Sequence, residues 1–89
     1  MSTVKQVAEA FAAGNSATCG NAKTDGCTCE LHGNRIAAHH VVGKVLFNWC
    51  GWYTPTTANH MNEILRAMGA QIRVSASQAK KSGQTTFVV

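Results

Sequence analysis

Between Lys44 and Gly69 the apolar residues of this chain change period, and that change limits what the chain can fold into. Val45, Phe47 and Trp49 alternate with Leu46, Asn48 and Cys50, the period-two pattern of a strand with one buried face. Met61, Ile64, Leu65 and Met68 recur instead at helical spacing, and Gly69 closes the run. Between the two lies Gly51-Trp52-Tyr53-Thr54-Pro55-Thr56-Thr57, which offers a glycine to break the strand, hydroxyls to cap a helix and a proline suited to a first helical turn. A strand and a helix so close in sequence bury their apolar faces together, so the chain needs a sheet with helices laid on it. The Phe47 side of the strand is expected to carry the helices.

The flanking segments extend this pattern. Thr3-Val4-Lys5-Gln6 has the form of a capping box, and Val4, Val7, Ala8 and Phe11 make one stripe, which predicts a helix from Val4 to Ala13 with Gly14 as its C-cap. Asn15 to Gly26 is small, polar and turn-rich, and reads as a loop. From Cys27 the period is two, with Cys27, Cys29 and Leu31 on one face and Thr28, Glu30 and His32 on the other. Gly33-Asn34 is expected as a hairpin turn or bulge, Arg35 to His40 as a strand, Val42-Gly43 as a turn and Lys44 to Cys50 as the next strand. After the second helix, Gln71 to Ala76 alternates through Ile72, Val74 and Ala76. Ser77 to Gly83 reads as a polar, basic turn, and Gln84 to Val89 as a last strand. The order α-β-β-β-α-β-β implies an α+β fold, a small antiparallel sheet with two helices on one face, as a single domain over residues 1–89.

Composition narrows the function classes. With 45% hydrophobic and 13% charged residues the chain is too apolar for a disordered tail, and 89 residues leave no room for a second domain. The net charge of +4 lies mostly in the second half, where Arg66, Arg73, Lys80 and Lys81 face Glu63 alone. Met1 to Ala13 lacks the basic start and apolar core of a secretory signal, and no stretch approaches the roughly eighteen apolar residues of a membrane span. The four cysteines are therefore read as reduced, cytosolic thiols.

Thr24-Asp25-Gly26, Leu31-His32-Gly33-Asn34-Arg35-Ile36-Ala37 and Gly51-Trp52-Tyr53-Thr54-Pro55-Thr56-Thr57, followed by Asn62 and Leu65, stand in that order over roughly residues 24 to 74. They resemble the patterns T-D-G, L-H-G-N-x-I-A and G-W-x-T-x-T-T of a group of small tailed-bacteriophage proteins. The resemblance implies a phage origin and an intracellular site of action, and it assigns no activity. Cys27 and Cys29 stand where that group leads one to expect ordinary apolar or polar residues.

Several side-chain sets have the chemistry of a site. Cys19, Cys27, Cys29 and His32 are ligand types suited to tetrahedral zinc. On a strand, however, Cys27 and Cys29 sit about 7 Å apart on one face while His32 points to the other, so buried thiols are the competing reading. His39-His40 point to opposite faces and read as a polar strand end. The loop before the second helix is the most useful set. Trp52 and Tyr53 offer stacking faces, Thr54, Thr56 and Thr57 offer hydroxyls, and the helix start offers N–H groups to an anion. His60 in the first turn is either a neutral donor to that anion or solvated, and Arg73 is a candidate cation for it, as are Lys80 and Lys81. Helix capping by the threonines and packing of Trp52 at the core edge are the competing reading.

Catalysis finds little here. Cys50 is the thiol to test beside His32, His39, His40 or His60, but the four acidic residues form no pair, and no phosphate loop or nucleophile elbow occurs. Nucleic-acid binding would rest on Arg66, Arg73, Lys80 and Lys81 beside Trp52 and Tyr53, a thin basic set. The expectation is a non-enzymatic phage accessory protein without a cofactor, binding stoichiometrically in the host cytoplasm and blunting a defence or redirecting a host factor. Its ligand is either a host protein, met at the exposed edge of the Cys27 to Cys50 meander or at an apolar patch, or a nucleotide or nucleotide signal held at Trp52 to Thr57. A nucleic-acid-binding protein and a zinc-stabilised interaction module are the alternatives. A homo-oligomer is expected because a small sheet exposes edges that two-fold pairing covers.

Overall fold

The computed structural model describes residues 4–40, 43–83 and 85–89. The capping residue Thr3, the turn residue Val42 and the strand residue Gln84 lie outside the described residues. Helix α1 (Val4–Ala13) is followed by strands β1 (Ala17–Cys19), β2 (Ala22–Thr24), β3 (Thr28–Leu31), β4 (Asn34–His39) and β5 (Val45–Asn48). Helices α2 (Pro55–Ala67) and α3 (Ala76–Ser82) and strand β6 (Thr86–Val88) complete the chain. The strands form one antiparallel sheet in the order β1-β2-β3-β4-β5-β6.

The class is α+β, with three helices instead of two and five strands before α2 instead of three. Asn15 to Gly26, expected as a loop, holds the β1–β2 hairpin, in which Cys19 pairs with Ala22 across a turn at Gly20. Ala22 and Thr24 turn inward while Lys23 faces solvent, an alternation too short and too polar to register as a strand by apolar pattern. Gln71 to Ala76, expected as a strand, joins no ladder: Ile72 is 49% exposed, and the Val74 backbone is held by the Asn62 side chain. Ser77 to Gly83, expected as a turn, is most of α3. Its Ala, Gln and Lys residues are good helix formers, and Gly83 ends it in the left-handed region with its N–H donating to Ala79.

The core lies between α1, α2 and one face of the sheet. Val7, Ala8 and Phe11 of α1 meet Met61, Ile64 and Leu65 of α2 over Ala22, Cys29, Leu31, Ile36, Val45, Phe47 and Trp49. Phe47 is fully buried and Trp49 nearly so, as expected for the face that carries the helices. The ladder between β3 and β4 slips at Cys29/Glu30, where Cys29 faces Ala37 but Glu30 faces Arg35. Ile36 is the extra residue of this bulge, which lets the consecutive Ile36 and Ala37 both be buried. His39 ties the sheet to α1: its Nε2–H donates to the Phe11 carbonyl at 2.7 Å, and its ring stacks on the Phe11 ring at 4.4 Å. An imidazole at a helix C-terminus answers the partial negative charge there.

Candidate functional site

In Thr24-Asp25-Gly26 the polar side chains hold a turn. Asp25 Oδ1 accepts from the N–H groups of Cys27 at 2.9 Å and Thr28 at 2.8 Å, and these bonds hold its carboxyl below the usual carboxylate range. Thr24 Oγ1 donates to the Thr28 carbonyl at 2.6 Å and accepts from Gly26 N–H. Gly26 has φ +93°, and a Cβ added there would collide with the Gly14 carbonyl. The β3–β4 turn is centred on His32 and Gly33, with φ of 53° and 79° between the paired Leu31 and Asn34. Two successive left-handed residues make this a type I′ hairpin turn. The Cys50-Gly51 pair repeats the device at the end of β5, with φ of 55° and 78° and Trp52 N–H donating to the Trp49 carbonyl.

These two turns leave a cleft between them. Its volume is about 460 Å³. Leu31 and Ile36 form an apolar floor, His32 and Asn34 line the hairpin side, and Trp52, Thr54, Thr56 and Thr57 line the helix side. Trp52 is 58% exposed, the most exposed large apolar side chain among the described residues. No lysine, arginine, aspartate or glutamate lines the cleft among the described residues. The helix start is largely spent: Thr54 Oγ1 accepts from Thr57 N–H at 3.2 Å, Ala58 N–H donates to the Thr54 carbonyl, and Pro55 has no N–H. The cleft therefore favours apolar or planar uncharged groups over anions.

The model of the Kyanoviridae Gp96 protein family matches residues 1–86. The chain belongs to this phage family. The match runs beyond residues 24 to 74 and takes in α1, the β1–β2 hairpin and α3. No curated protein and no solved structure matches the chain.

In this family member the candidate residues fall into separate places. Trp52, Thr54, Thr56 and Thr57 come together in the cleft; Tyr53, His60 and Arg73 do not line it. Tyr53 turns back, stacking on Trp49 at 5.6 Å and sharing a hydrogen bond with Thr85 Oγ1. His60 is buried, and its Nδ1–H donates to the Thr56 carbonyl at 2.9 Å, so it is neither solvated nor turned toward the cleft. Arg73 lines hollows beside α2 and α3. The cysteine set is scattered too: Cys19 is in β1, Cys27 is exposed, Cys29 is buried on the inner face of β3 and His32 is in the hairpin turn. Among the described residues no three of His, Cys, Asp and Glu are grouped to hold an ion.

Burial pushes the Cys29 thiol up to about 11 and raises that of Cys50. A raised thiol pKa disfavours the thiolate form that nucleophilic chemistry uses. Cys50 Sγ–H donates to the Arg35 carbonyl at 3.1 Å. Sequence reasoning did not name Leu31, Asn34 and Ile36 as cleft residues, and it named His32 for metal instead. The signal lay in the L-H-G-N stretch, where a hairpin turn places its first and last residues side by side.

Proposed function

We propose that this phage protein works by stoichiometric, non-enzymatic binding in the host cytoplasm, needs no cofactor, and receives an apolar or aromatic side chain of a host protein in the cleft between Trp52 and His32. The observation that carries this reading is the exposure of Trp52 over the apolar floor of Leu31 and Ile36. Covering that indole would contribute on the order of 3 kcal/mol, enough to make it an anchor of an interface. His32 supports the same reading. It occupies a left-handed position that Gly or Asn fills more cheaply, by about 1 kcal/mol, and it lines the cleft. The complex would blunt or redirect a host function, a role supported by membership of a phage family and by the chain's small size.

A nucleotide is the second reading, favoured by the flat, open face of Trp52 beside the threonine hydroxyls. Its phosphates would find no cation among the described cleft residues. Retrieval of the tagged protein from infected cells, followed by native mass spectrometry, separates the two. A host protein bound to wild type and absent from Trp52→Ala and His32→Asn supports the first reading. A retained mass of nucleotide size replaces it with the second, and equal host-protein binding by wild type and both variants removes the cleft from the interface.

A further inference from the structure

Strand β6 is an open edge of the sheet. Val45 and Val89 exchange both backbone bonds, at 2.9 and 3.0 Å, and Trp49 N–H donates to the Thr85 carbonyl. In an antiparallel ladder such pairs alternate with pairs whose N–H and C=O groups point away. Leu46–Val88 and Asn48–Thr86 are those intervening pairs. The backbone groups of Thr86 and Val88 therefore face outward along the edge, ready to extend the sheet. Natural edges are guarded by shortness, charges, prolines or bulges, and of these β6 has its three-residue length. The strand Thr86-Phe87-Val88 carries no charge and no proline, and pairs with β5 in unbroken register. Val88 is 47% exposed, and Phe87, stacked on Phe47 at 4.9 Å, is only half-buried.

After Glu63 the chain carries Arg73, Lys80 and Lys81 and no acidic residue. Lys80 and Lys81 are exposed on α3, whose Gln78, Ala79 and Ser82 lie beside Phe87. A second copy brought edge to edge would set like charges against each other, whereas a carboxylate-bearing strand would find complementary ones.

We propose that β6 is a docking edge for an extended, acidic segment of a partner protein, added as a seventh strand. Main-chain bonds to Thr86 and Val88 hold the segment, one of its apolar side chains covers the open flank of Phe87, and its carboxylates face Lys80 and Lys81. This surface is separate from the Trp52 cleft and does not rest on it.

The test uses the full chain and a blocked synthetic peptide of about eight residues alternating valine with glutamate. Amide hydrogen exchange read by NMR should slow by about tenfold or more at Thr86 and Val88 under saturating peptide and stay unchanged at Phe87, whose N–H already faces β5. Peptide affinity should fall by about tenfold or more in the double variant Lys80→Glu, Lys81→Glu, fall with added salt, and be untouched by Trp52→Ala. No added protection at Thr86 and Val88, or equal protection by a valine–lysine peptide, overturns the proposal. Protection that rises with protein concentration alone, without peptide, also overturns it and gives the edge to a second copy.

Discussion

Removing the Asn62 side chain should unmoor the segment between α2 and α3. This carboxamide donates to the Val74 carbonyl at 3.0 Å and accepts from Val74 N–H at 2.7 Å, so it stands in for the neighbouring strand that residues 70–75 lack. Each such bond is worth about 1 kcal/mol net, and the site is half-buried, so water only partly replaces the lost partner. Asn62→Ala is thus expected to cost about 2 kcal/mol. In urea, with a slope near 1 kcal/mol/M for a domain this small, the midpoint should drop by about 2 M, and Tm by roughly 10 °C. Asn62→Asp keeps the acceptor but sets a carboxylate against the Val74 carbonyl. Its deficit should be at least as large at neutral pH and should narrow in acid, where the protonated group donates again. A change below about 0.5 kcal/mol for Asn62→Ala would show that Val74 is held by packing and would refute the clamp.

Other substitutions should separate framework from cleft. Trp49→Ala empties a nearly sealed core position and should cost about 3–5 kcal/mol in urea unfolding, whereas Trp52→Ala should stay within about 0.5 kcal/mol; comparable losses would contradict the exposure assigned to Trp52. His32→Asn relieves a left-handed strain and should stabilise the fold by about 1 kcal/mol while weakening partner binding. If it destabilises, the turn is not of the type described. Asp25 has a folded pKa below its ordinary 3.8, so its contribution to stability is full above that value and is lost as pH falls through the lower, folded one. The stability gap between wild type and Asp25→Ala should accordingly be constant near neutrality and close in acid; a gap that persists undiminished at the lowest pH would assign the effect to something other than the carboxylate.

The parts of the fold legible in the sequence were those with long, strongly periodic apolar runs. Helix α1 spans the expected residues, α2 carries the Met61, Ile64 and Leu65 face, and the Phe47 side of β5 is the buried one. The three-residue strands β1 and β2 were not legible, because Ala, Thr, Lys and Cys in so short a run give no contrast of hydrophobicity. The alternation at Ile72, Val74 and Ala76 misled for a tertiary reason: a single side chain, Asn62, satisfies the backbone that a strand neighbour would otherwise pair. Helix α3 sat behind its polar composition although its residues have high helix propensity. At the cleft, one wall could be read from the Trp52 to Thr57 stretch, while the other depended on which two residues formed the β3–β4 turn. A turn at His32-Gly33 rather than Gly33-Asn34 brings Leu31 beside Asn34. The same placement moves His32 from a strand face to the cleft rim.

The cleft can be tested most directly by placing a photoreactive phenylalanine analogue at Trp52 and, as a control, at the exposed Lys23 on β2, and irradiating each variant in infected cells. A single protein-sized adduct from position 52 and none from position 23, lost when His32→Asn is added, is the predicted result. Adducts of equal yield from both positions, or none from position 52 while the protein remains folded, would contradict a host protein seated between Trp52 and His32.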